Sequence, residues 1–180
     1  MIDNSRIHME KLTFYTVELF TKLAAWHNDP ELQPFISPRR TVEEIALIDP
    51  RGYMEKARKS PNTWMYIVYD DETPIGVYTI TQDSGALMRK TGRTAWISVL
   101  IGDKRYQGRG ISKLMMQSIE EECRRLGFDA IELGVFDYNE KAKQLYRRSG
   151  YQEIGRNASF VFYNGEWHDD IHLVKPIKRV

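Results

Sequence analysis

A strand, a helix and a second strand follow one another within about 40 residues in the middle of the chain. The segment TAWISVLI, residues 94–101, is rich in β-branched and aromatic residues, and AIELGV, residues 130–135, has the same character. Between them, apolar residues recur at helical spacing up to about Leu126, and Gly127 follows. Because a helix that connects two strands of one sheet requires the strands to run parallel, this unit predicts a parallel pair.

The segments on either side of this unit predict antiparallel pairing. WMYIVY, residues 64–69, and IGVYTIT, residues 75–81, flank the turn-forming DDETP and predict a hairpin. A further helix is expected over residues 139–149, and the turn pair Asn164-Gly165 is typical of a type I′ hairpin. Three strands are expected near the end of the chain, at residues 151–156, 159–163 and 167–174. The pattern predicts an α/β (α+β) fold with a mixed, mostly antiparallel central sheet and a parallel βαβ core flanked by helices.

The first part of the chain predicts a short strand followed by helices. LTFYT, residues 12–16, has strand composition, and residues 18–27 form an amphipathic helix that Asp29-Pro30 ends. Thr41 and Glu44 have capping-box spacing, which predicts a second helical region. Pro50 is expected to interrupt that region before residues 52–60 resume it.

Composition excludes several classes of function. The 180 residues can bury one core, and 26 Lys and Arg against 25 Asp and Glu leave a net charge of +1. This balance gives no overall attraction for nucleic acid or an anionic membrane. The single Cys123 excludes an internal disulfide, and no Cys/His cluster suggests a metal. Without a signal peptide or a membrane-spanning run, the chain is expected to be soluble and cytoplasmic, with no metal, nucleic acid or membrane partner.

The segment QGRGIS, residues 107–112, is expected to lie between a strand and a helix N-terminus. Free N–H groups and the helix dipole favour a phosphate there, and glycines let the backbone approach it. Neighbouring basic residues add positive charge: Lys104, Arg105, Arg109 and Lys113. No Gly-Lys-Ser/Thr triplet indicates a P-loop, and Lys113 stands where a dinucleotide fingerprint needs its third glycine. A tight turn without a ligand remains an alternative.

Two motifs together resemble the GNAT acetyltransferase superfamily, whose members use acetyl-CoA. QGRGIS fits the family pattern [RQ]xxGx[GA] except at Ser112, and NEKAKQLYRRSGY, residues 139–151, is similar to NxxAxxLYxxxG[FY] at every defined position. Three shorter stretches resemble the branch that includes ribosomal-protein N-terminal and spermidine/spermine acetyltransferases: residues 26–30, 101–103 and 164–169. The resemblance is clearest from Trp64 onward.

The resemblance implies one acetyltransferase domain over residues 1–180. Residues 11–60 would form a helical acceptor-side region, and residues 64–180 the sheet and acetyl-CoA-binding core. The implied cofactor-binding residues are Val99, Leu100, Ile101, Gln107, Gly108, Arg109, Gly110, Ile111, Ser112, Asn139 and Tyr146. For the acceptor pocket, the candidates are Trp26, Asp29, Phe35, Trp96 and Trp167. Gly102 is a candidate for oxyanion or bulge geometry.

The chemistry implied is direct attack of an amine on the acetyl thioester. Tyr146 is the implied catalytic residue, which donates a proton or hydrogen bond to the leaving thiolate, and a packed core tyrosine is the alternative. Asn139 would contact the pantetheine arm, cap its helix, or do both.

The general base stays open. The candidates are all expected to be solvated carboxylates, so that a water relay is the alternative: Asp29, Glu43, Glu44 and Glu132. His168 and His172 are expected at the surface, about 13 Å apart along a strand and too distant to share a metal. Cys123 is expected in the core.

These observations predict an acetyl-CoA-dependent N-acetyltransferase that acts on a primary amine, either a small molecule or a protein N-terminus. A CoA-binding regulatory or sensor module with little catalysis is the alternative. The acceptor stays open among a polyamine, an amino acid, an antibiotic and a protein N-terminus, and a homodimer is also left open.

Overall fold

The computed structural model describes residues 4–39 and 47–177, and a seven-stranded sheet forms its centre. The strands are β1 (Ile7–Lys11), β2 (Thr63–Asp70), β3 (Thr73–Gln82), β4 (Thr94–Ile101), β5 (Ala130–Phe136), β6 (Gln152–Tyr163) and β7 (Glu166–Pro176). Their order is β1-β2-β3-β4-β5-β7-β6, and β4 with β5 is the parallel pair of the described sheet. The predicted mixed sheet with a parallel βαβ core is therefore confirmed.

Helices cover both faces of the sheet. They are α1 (Val17–Asn28), α2 (Gln33–Ile36), α3 (Pro50–Arg58), α4 (Ile111–Arg125) and α5 (Glu140–Arg148), with short 3₁₀ turns at Asn4–Arg6 and Lys104–Tyr106. On one face, Met115 and Ile119 of α4 pack with sheet residues such as Ile131. On the other, Phe20 and Leu23 of α1 pack with a second set of sheet residues. Burial on both faces explains why the central strands are apolar at nearly every position.

The parallel pair separates after three positions. Thr94–Trp96 of β4 pair with Ala130–Glu132 of β5, and there the pairing ends. Beyond that point β4 stays paired with β3 as far as Ile101, whereas β5 stays paired with β7 as far as Phe136. A gap therefore opens inside the sheet, between two strands that are each held from their outer side.

The expected strand at residues 12–16 is wrong, because the first strand is β1 at Ile7–Lys11. This strand lies at the sheet edge and its sequence IHMEK is half polar, so it gives little strand signal. The segment 12–16 leads into α1, and the Thr16 hydroxyl caps that helix by accepting a hydrogen bond from the Leu19 N–H at 3.2 Å.

Pro50 begins a helix and does not interrupt one, which corrects the prediction. It is the first residue of α3, a position whose N–H makes no hydrogen bond within a helix, so the N–H that proline lacks is not needed there. The Asp49 carboxylate caps the same turn by accepting from the Gly52 N–H at 2.6 Å. The expected capping box of Thr41 and Glu44, and the carboxylate of Glu43, fall outside the described residues.

The two strands expected at residues 151–156 and 159–163 form one strand, β6. Its pairing with β7 is irregular between Asn157 and Val161, and Ser159 there has a φ of 50°. The irregularity explains why the sequence pattern is broken at this point. Asn164 and Gly165 have φ values of 50° and 82°, as a type I′ turn requires.

None of the helices among the described residues has the length and apolar character to cross a membrane.

Candidate active site

A cavity of about 1950 Å³ occupies the gap between β4 and β5. Its lining comes from the separated halves of both strands, the N-terminus of α4, the inner face of α5 and the connection between β3 and β4. Of the predicted site residues, those that line it are Phe35, Trp96, Val99, Leu100, Ile101, Gln107, Gly108, Gly110, Ser112, Asn139 and Tyr146. The fold thus brings most of the predicted cofactor-binding residues to one opening.

The glycine loop forms one end of this cavity. Gly108 and Gly110 have φ values of 71° and 82°, in the left-handed region that disfavours a side chain, and no atom would lie within 4 Å of a Cβ at either position. Gly110 is the N-cap of α4 and supplies no capping side chain, so the helix start is open to an anion. Ile111 is buried in the core and the exposed Arg109 does not line the cavity.

Two of the basic residues expected to add charge at this loop are neutralised by carboxylates. The Lys104 ammonium lies 2.9 Å from Asp29 and 3.0 Å from Glu31, and the Arg105 guanidinium lies 2.7 Å from Asp103. The hydrogen bond from Lys104 lowers the pKa of Asp29, and Arg105 acts in the same way on Asp103. The positive character of the loop therefore comes from the helix start and from Lys113, which lines the cavity.

The end of β4 forms the cavity wall beside the loop. Residues 99–101 line it from the strand edge that β5 has left, and the Gln107 side chain donates to the Ile101 carbonyl at 3.0 Å. At Gly102 a Cβ would lie 1.9 Å from the Trp26 ring. This glycine therefore makes room for the packed indole of Trp26.

Helix α5 provides the opposite wall. Asn139 is its N-cap and accepts a hydrogen bond from the Ala142 N–H at 3.2 Å, as the capping alternative predicts. Tyr146, two turns later, lines the cavity with its ring centroid 6.0 Å from that of Tyr151. Burial raises the pKa of Tyr146 to about 12. Its hydroxyl makes no hydrogen bond to a described residue, so a protonated donor is available to a ligand.

A buried cluster of three ionisable side chains corrects two expectations. Glu132 is buried and not solvated, and His172 is buried and not at the surface. His172 Nδ1 lies 2.7 Å from Glu132 Oε1, and His172 Nε2 lies 3.1 Å from Asp170 Oδ2. Burial lowers the pKa of His172, but the hydrogen bonds and charges of Asp170 and Glu132 outweigh it and raise the pKa overall. Both Asp170 and His172 line the cavity.

Glu132 also fixes the connection between β3 and β4. Its carboxylate accepts the N–H of Met88 at 2.7 Å and that of Arg89 at 2.9 Å. A signal for this role was present in the sequence, because Glu132 stands between two apolar residues in a strand that is otherwise buried. A carboxylate at such a position needs hydrogen-bonding partners.

Three of the predicted acceptor residues lie outside the cavity. Trp26 is packed against Gly102, Asp29 is paired with Lys104, and Trp167 is about half exposed and packs on Phe162. Phe35 and Trp96 do line it.

The aromatic neighbours of Phe35 are not among the residues predicted from the sequence. Tyr138 is the centre of this group, with its ring 5.9 Å from Phe35 and 4.4 Å from Tyr163. Tyr138 lies two residues after the end of β5, so its position just beyond a central strand is a usable signal.

Two further expectations concern reactive side chains. Cys123 is fully buried on α4, which confirms a core position, and burial raises the pKa of its thiol to about 12. Within residues 4–39 and 47–177, no group of three His, Cys, Asp or Glu side chains is arranged to hold a metal ion.

Comparison with known proteins connects the cavity to a chemistry. Residues 20–151 match the sequence model of the Acetyltransferase (GNAT) family. The chain is 31% identical over 74 residues to the L-amino acid N-acetyltransferase AaaT of Escherichia coli, and 34% identical over 83 residues to the spermine/spermidine N(1)-acetyltransferase of Bacillus subtilis. These matches cover 41% and 43% of this chain. The chain spans about half the length of these curated relatives, 46% and 48%.

Solved structures match over nearly the whole chain. The structure of yncA from Salmonella typhimurium, which holds its cofactor acetyl-CoA, has a TM-score of 0.74 at 13% identity and covers 97% of this chain and 96% of its own. RimL, a ribosomal L7/L12 α-N-protein acetyltransferase in complex with coenzyme A, has a TM-score of 0.74 at 14% identity, with coverage of 98% and 97%. At these identities the likeness shows a shared fold. The expected similarity to ribosomal-protein and spermidine/spermine acetyltransferases is confirmed by RimL and by the Bacillus relative.

Proposed function

Because the chain belongs to the GNAT acetyltransferase family, we propose that it transfers an acetyl group from acetyl-CoA to a primary amine. The observation that carries this proposal is the gap between β4 and β5, which has an open helix start at one end and a protonated tyrosine on its wall. With its one cysteine buried as a free thiol, the chain suits a reducing compartment, and we propose a cytoplasmic location.

The residues of the gap fit acetyl-CoA. Left-handed glycines at 108 and 110, with open space where side chains would stand, leave room for a pyrophosphate beside the first turn of α4. The backbone of residues 99–101 has lost its β5 partner and can hydrogen-bond the amides of the pantetheine arm as a neighbouring strand would. Asn139 lines the same wall while it caps α5. The loop thus suits the pyrophosphate, and the strand edge and the helix suit the pantetheine arm.

Bound acetyl-CoA supplies a thioester. The acceptor gives up one proton to water and attacks the thioester carbon as the neutral amine; the carbon–sulfur bond breaks, the coenzyme leaves as a thiolate, and the nitrogen passes its second proton to water. Tyr146 assists that departure from the wall of the cavity. A thiol has a pKa of about 8.5. Because the pKa of the Tyr146 hydroxyl is about 12, it stays protonated and stabilises the thiolate by donating a hydrogen bond to it, without giving up the proton.

An amine panel with detection of released thiol tests this proposal. The full chain is incubated with acetyl-CoA and single primary amines, and acetylated product is identified by mass spectrometry. We expect thiol release that depends on the amine and matches the product formed. If acetyl-CoA binds but no amine increases thiol release, the protein is a CoA-binding sensor module and the proposed function is wrong.

A further inference from the structure

We propose that Asp170 binds the ammonium group of the acceptor, and that the acceptor is a small primary amine with one positive charge and an apolar or aromatic body. This inference rests on the proposed function, since it names the substrate class for the same cavity. Asp170 holds the acceptor in its ammonium form, and the nitrogen gives up one proton to water before it attacks the thioester as the neutral amine. Glu132 and His172 are positioning residues in it, because they act on the ligand through Asp170.

In the Asp170 carboxylate, one oxygen is hydrogen-bonded within the protein and the other is open to a ligand. The exposed fraction of the side chain is 9%, and its Oδ2 lies 3.1 Å from His172 Nε2. Oδ1 receives no hydrogen bond from the residues that the structure describes. A Cβ at position 134 would lie 2.7 Å from Oδ1 and 3.1 Å from the Trp96 ring, so that only glycine leaves space for both groups over β5. Gly134, Trp96 and Asp170 all line the cavity.

The composition of the buried cluster favours a cation next to Asp170. Burial lowers the pKa of His172, but its hydrogen bonds to Asp170 and Glu132 raise it overall, which favours the imidazolium form between the two carboxylates. Glu132 already accepts three hydrogen bonds, from His172 and from two backbone N–H groups. The cluster therefore has two carboxylates for one imidazole, and Asp170 is the carboxylate with an oxygen left over for a further cationic or hydrogen-bonding partner.

The side chains of Arg89 and Arg156 are bonded to groups other than Asp170. The Arg89 guanidinium donates to Thr94, at 2.6 Å. The Arg156 guanidinium pairs with Glu153 at 2.6 Å and with Asp169 at 3.4 Å. Neither forms an ion pair with Asp170. An ammonium group from the solvent is therefore a suitable partner for this carboxylate.

The other carboxylates of the cavity favour a single positive charge on the acceptor. Of the described lining residues, Glu31 pairs with Lys104 at 3.0 Å and Glu140 pairs with Lys143 at 2.6 Å. A polyamine needs several free carboxylates along its length, and Asp170 provides one. A polyamine therefore fits this cavity less well than a monoamine does.

Aromatic side chains line the cavity that contains Asp170, and they suit an apolar body. Trp96 lies at the carboxylate itself, and further rings line the cavity: Phe35, Tyr53, Phe136, Tyr138 and Phe160. Such rings bury apolar groups, and their faces also attract an ammonium group. A carboxylate in a cavity lined by aromatic side chains therefore recognises an arylalkylamine type of ligand.

The test compares Asp170→Asn with Asp83→Asn, the same substitution at an exposed turn residue outside the cavity. Phenethylamine and spermidine are the acceptors, and acetyl-CoA affinity is measured separately by calorimetry. We expect Asp170→Asn to raise KM for phenethylamine at least about tenfold, as the loss of a buried charged partner predicts, with acetyl-CoA affinity unchanged. Asp83→Asn is expected to leave both within twofold. An unchanged KM in Asp170→Asn, or a kcat/KM for spermidine above that for phenethylamine, overturns the proposal.

A second measurement needs neither turnover nor a variant. Phenethylamine and its neutral analogue 2-phenylethanol are titrated into the wild-type protein with acetyl-CoA replaced by CoA. We expect the amine to bind at least about tenfold more tightly, because the alcohol has no charge for Asp170. Equal affinities overturn the inference even where Asp170→Asn does not fold. If the amine binds tightly but is never acetylated, the proposed function fails and the amine site stands.

Discussion

His172 Nδ1 lies 2.7 Å from Oε1 of Glu132, and both side chains are buried in the sheet. Glu132 belongs to β5 and His172 to β7, so this contact joins two strands and also supports the connection after β3 through the backbone N–H groups that Glu132 accepts. The pair thus couples the stability of the sheet to the protonation of one imidazole.

This coupling predicts a pH-dependent effect for His172→Gln. Burial lowers the pKa of His172 in the folded protein, but the hydrogen bonds that it donates to Asp170 and Glu132 outweigh this effect and raise the pKa overall. A raised pKa stabilises the fold fully below the unfolded value of about 6.5, and the contribution is lost as pH rises through the folded pKa. The free-energy difference between wild type and His172→Gln should therefore be larger at pH 5.5 than at pH 9. Urea unfolding across this range measures it, and a constant difference contradicts the charged pair.

Tyr146→Phe should lower kcat by about 100-fold, the lower end for a group that assists a leaving group by donating a hydrogen bond. Acetyl-CoA affinity should not change, because the ring is retained. Since the pKa of Tyr146 is about 12, the wild-type rate should show no loss from its ionisation up to about pH 10. Steady-state kinetics and calorimetry provide the two readouts.

Tyr69→Phe is the matched control for this variant, because Tyr69 lies on β2, away from the cavity, and stacks on His8. It should leave kcat within twofold. Equal kcat values for Tyr146→Phe and wild type would remove Tyr146 from the mechanism.

Gly110→Asp should weaken acetyl-CoA binding by at least about tenfold. The new carboxylate would stand at the N-cap of α4, where it competes with the pyrophosphate for the same N–H groups. Gly165→Asp is a close control: both glycines have a φ of 82° and open space around the Cβ position, but Gly165 lies in the turn between β6 and β7. Similar backbone strain is thus introduced in both variants. If calorimetry gives equal losses of affinity, the loop does not bind the pyrophosphate.

Gly102→Ala should destabilise the fold by about 1–3 kcal/mol, as expected for overpacking a core. The added Cβ would lie 1.9 Å from the Trp26 ring, so α1 or the end of β4 has to move. Gly85→Ala introduces the same methyl group where nothing lies within 4 Å and should change stability by less than about 0.5 kcal/mol. Chemical denaturation of both variants is the measurement. Equal midpoints would show that the indole does not fill this space.

The sequence predicts those parts of the fold that depend on residues close together in the chain. The hairpin of β2 and β3, the βαβ unit and the Asn164-Gly165 turn all follow from apolar periodicity and turn residues within a short stretch. The strand at Ile7–Lys11 was missed because an edge strand buries little, and Pro50 was misplaced because proline suits a helix start as well as a helix end.

The parts of the site that were not predicted depend on pairing between distant segments. Glu132 and His172 are 40 residues apart, and the register that sets Gly134 opposite His172 determines their contact. In the same way, Lys104 loses its expected role at the loop to Asp29, which reaches it from the end of α1. Such partners follow from the assembled sheet and not from spacing along the chain.

The separation of β4 from β5 divides the sheet into a four-stranded part and a three-stranded part that meet at three residue pairs. A molecule bound in the gap contacts both parts of the sheet and holds them together. Saturation at a hundred times Kd adds about 2.7 kcal/mol to the free energy of unfolding. With the ligand bound, hydrogen exchange should therefore slow more for the amides along the facing edges of β4 and β5 than for those of the outer strands. The coenzyme is thus both a reactant and a stabilising ligand, and its release at the end of each catalytic cycle removes that stabilisation.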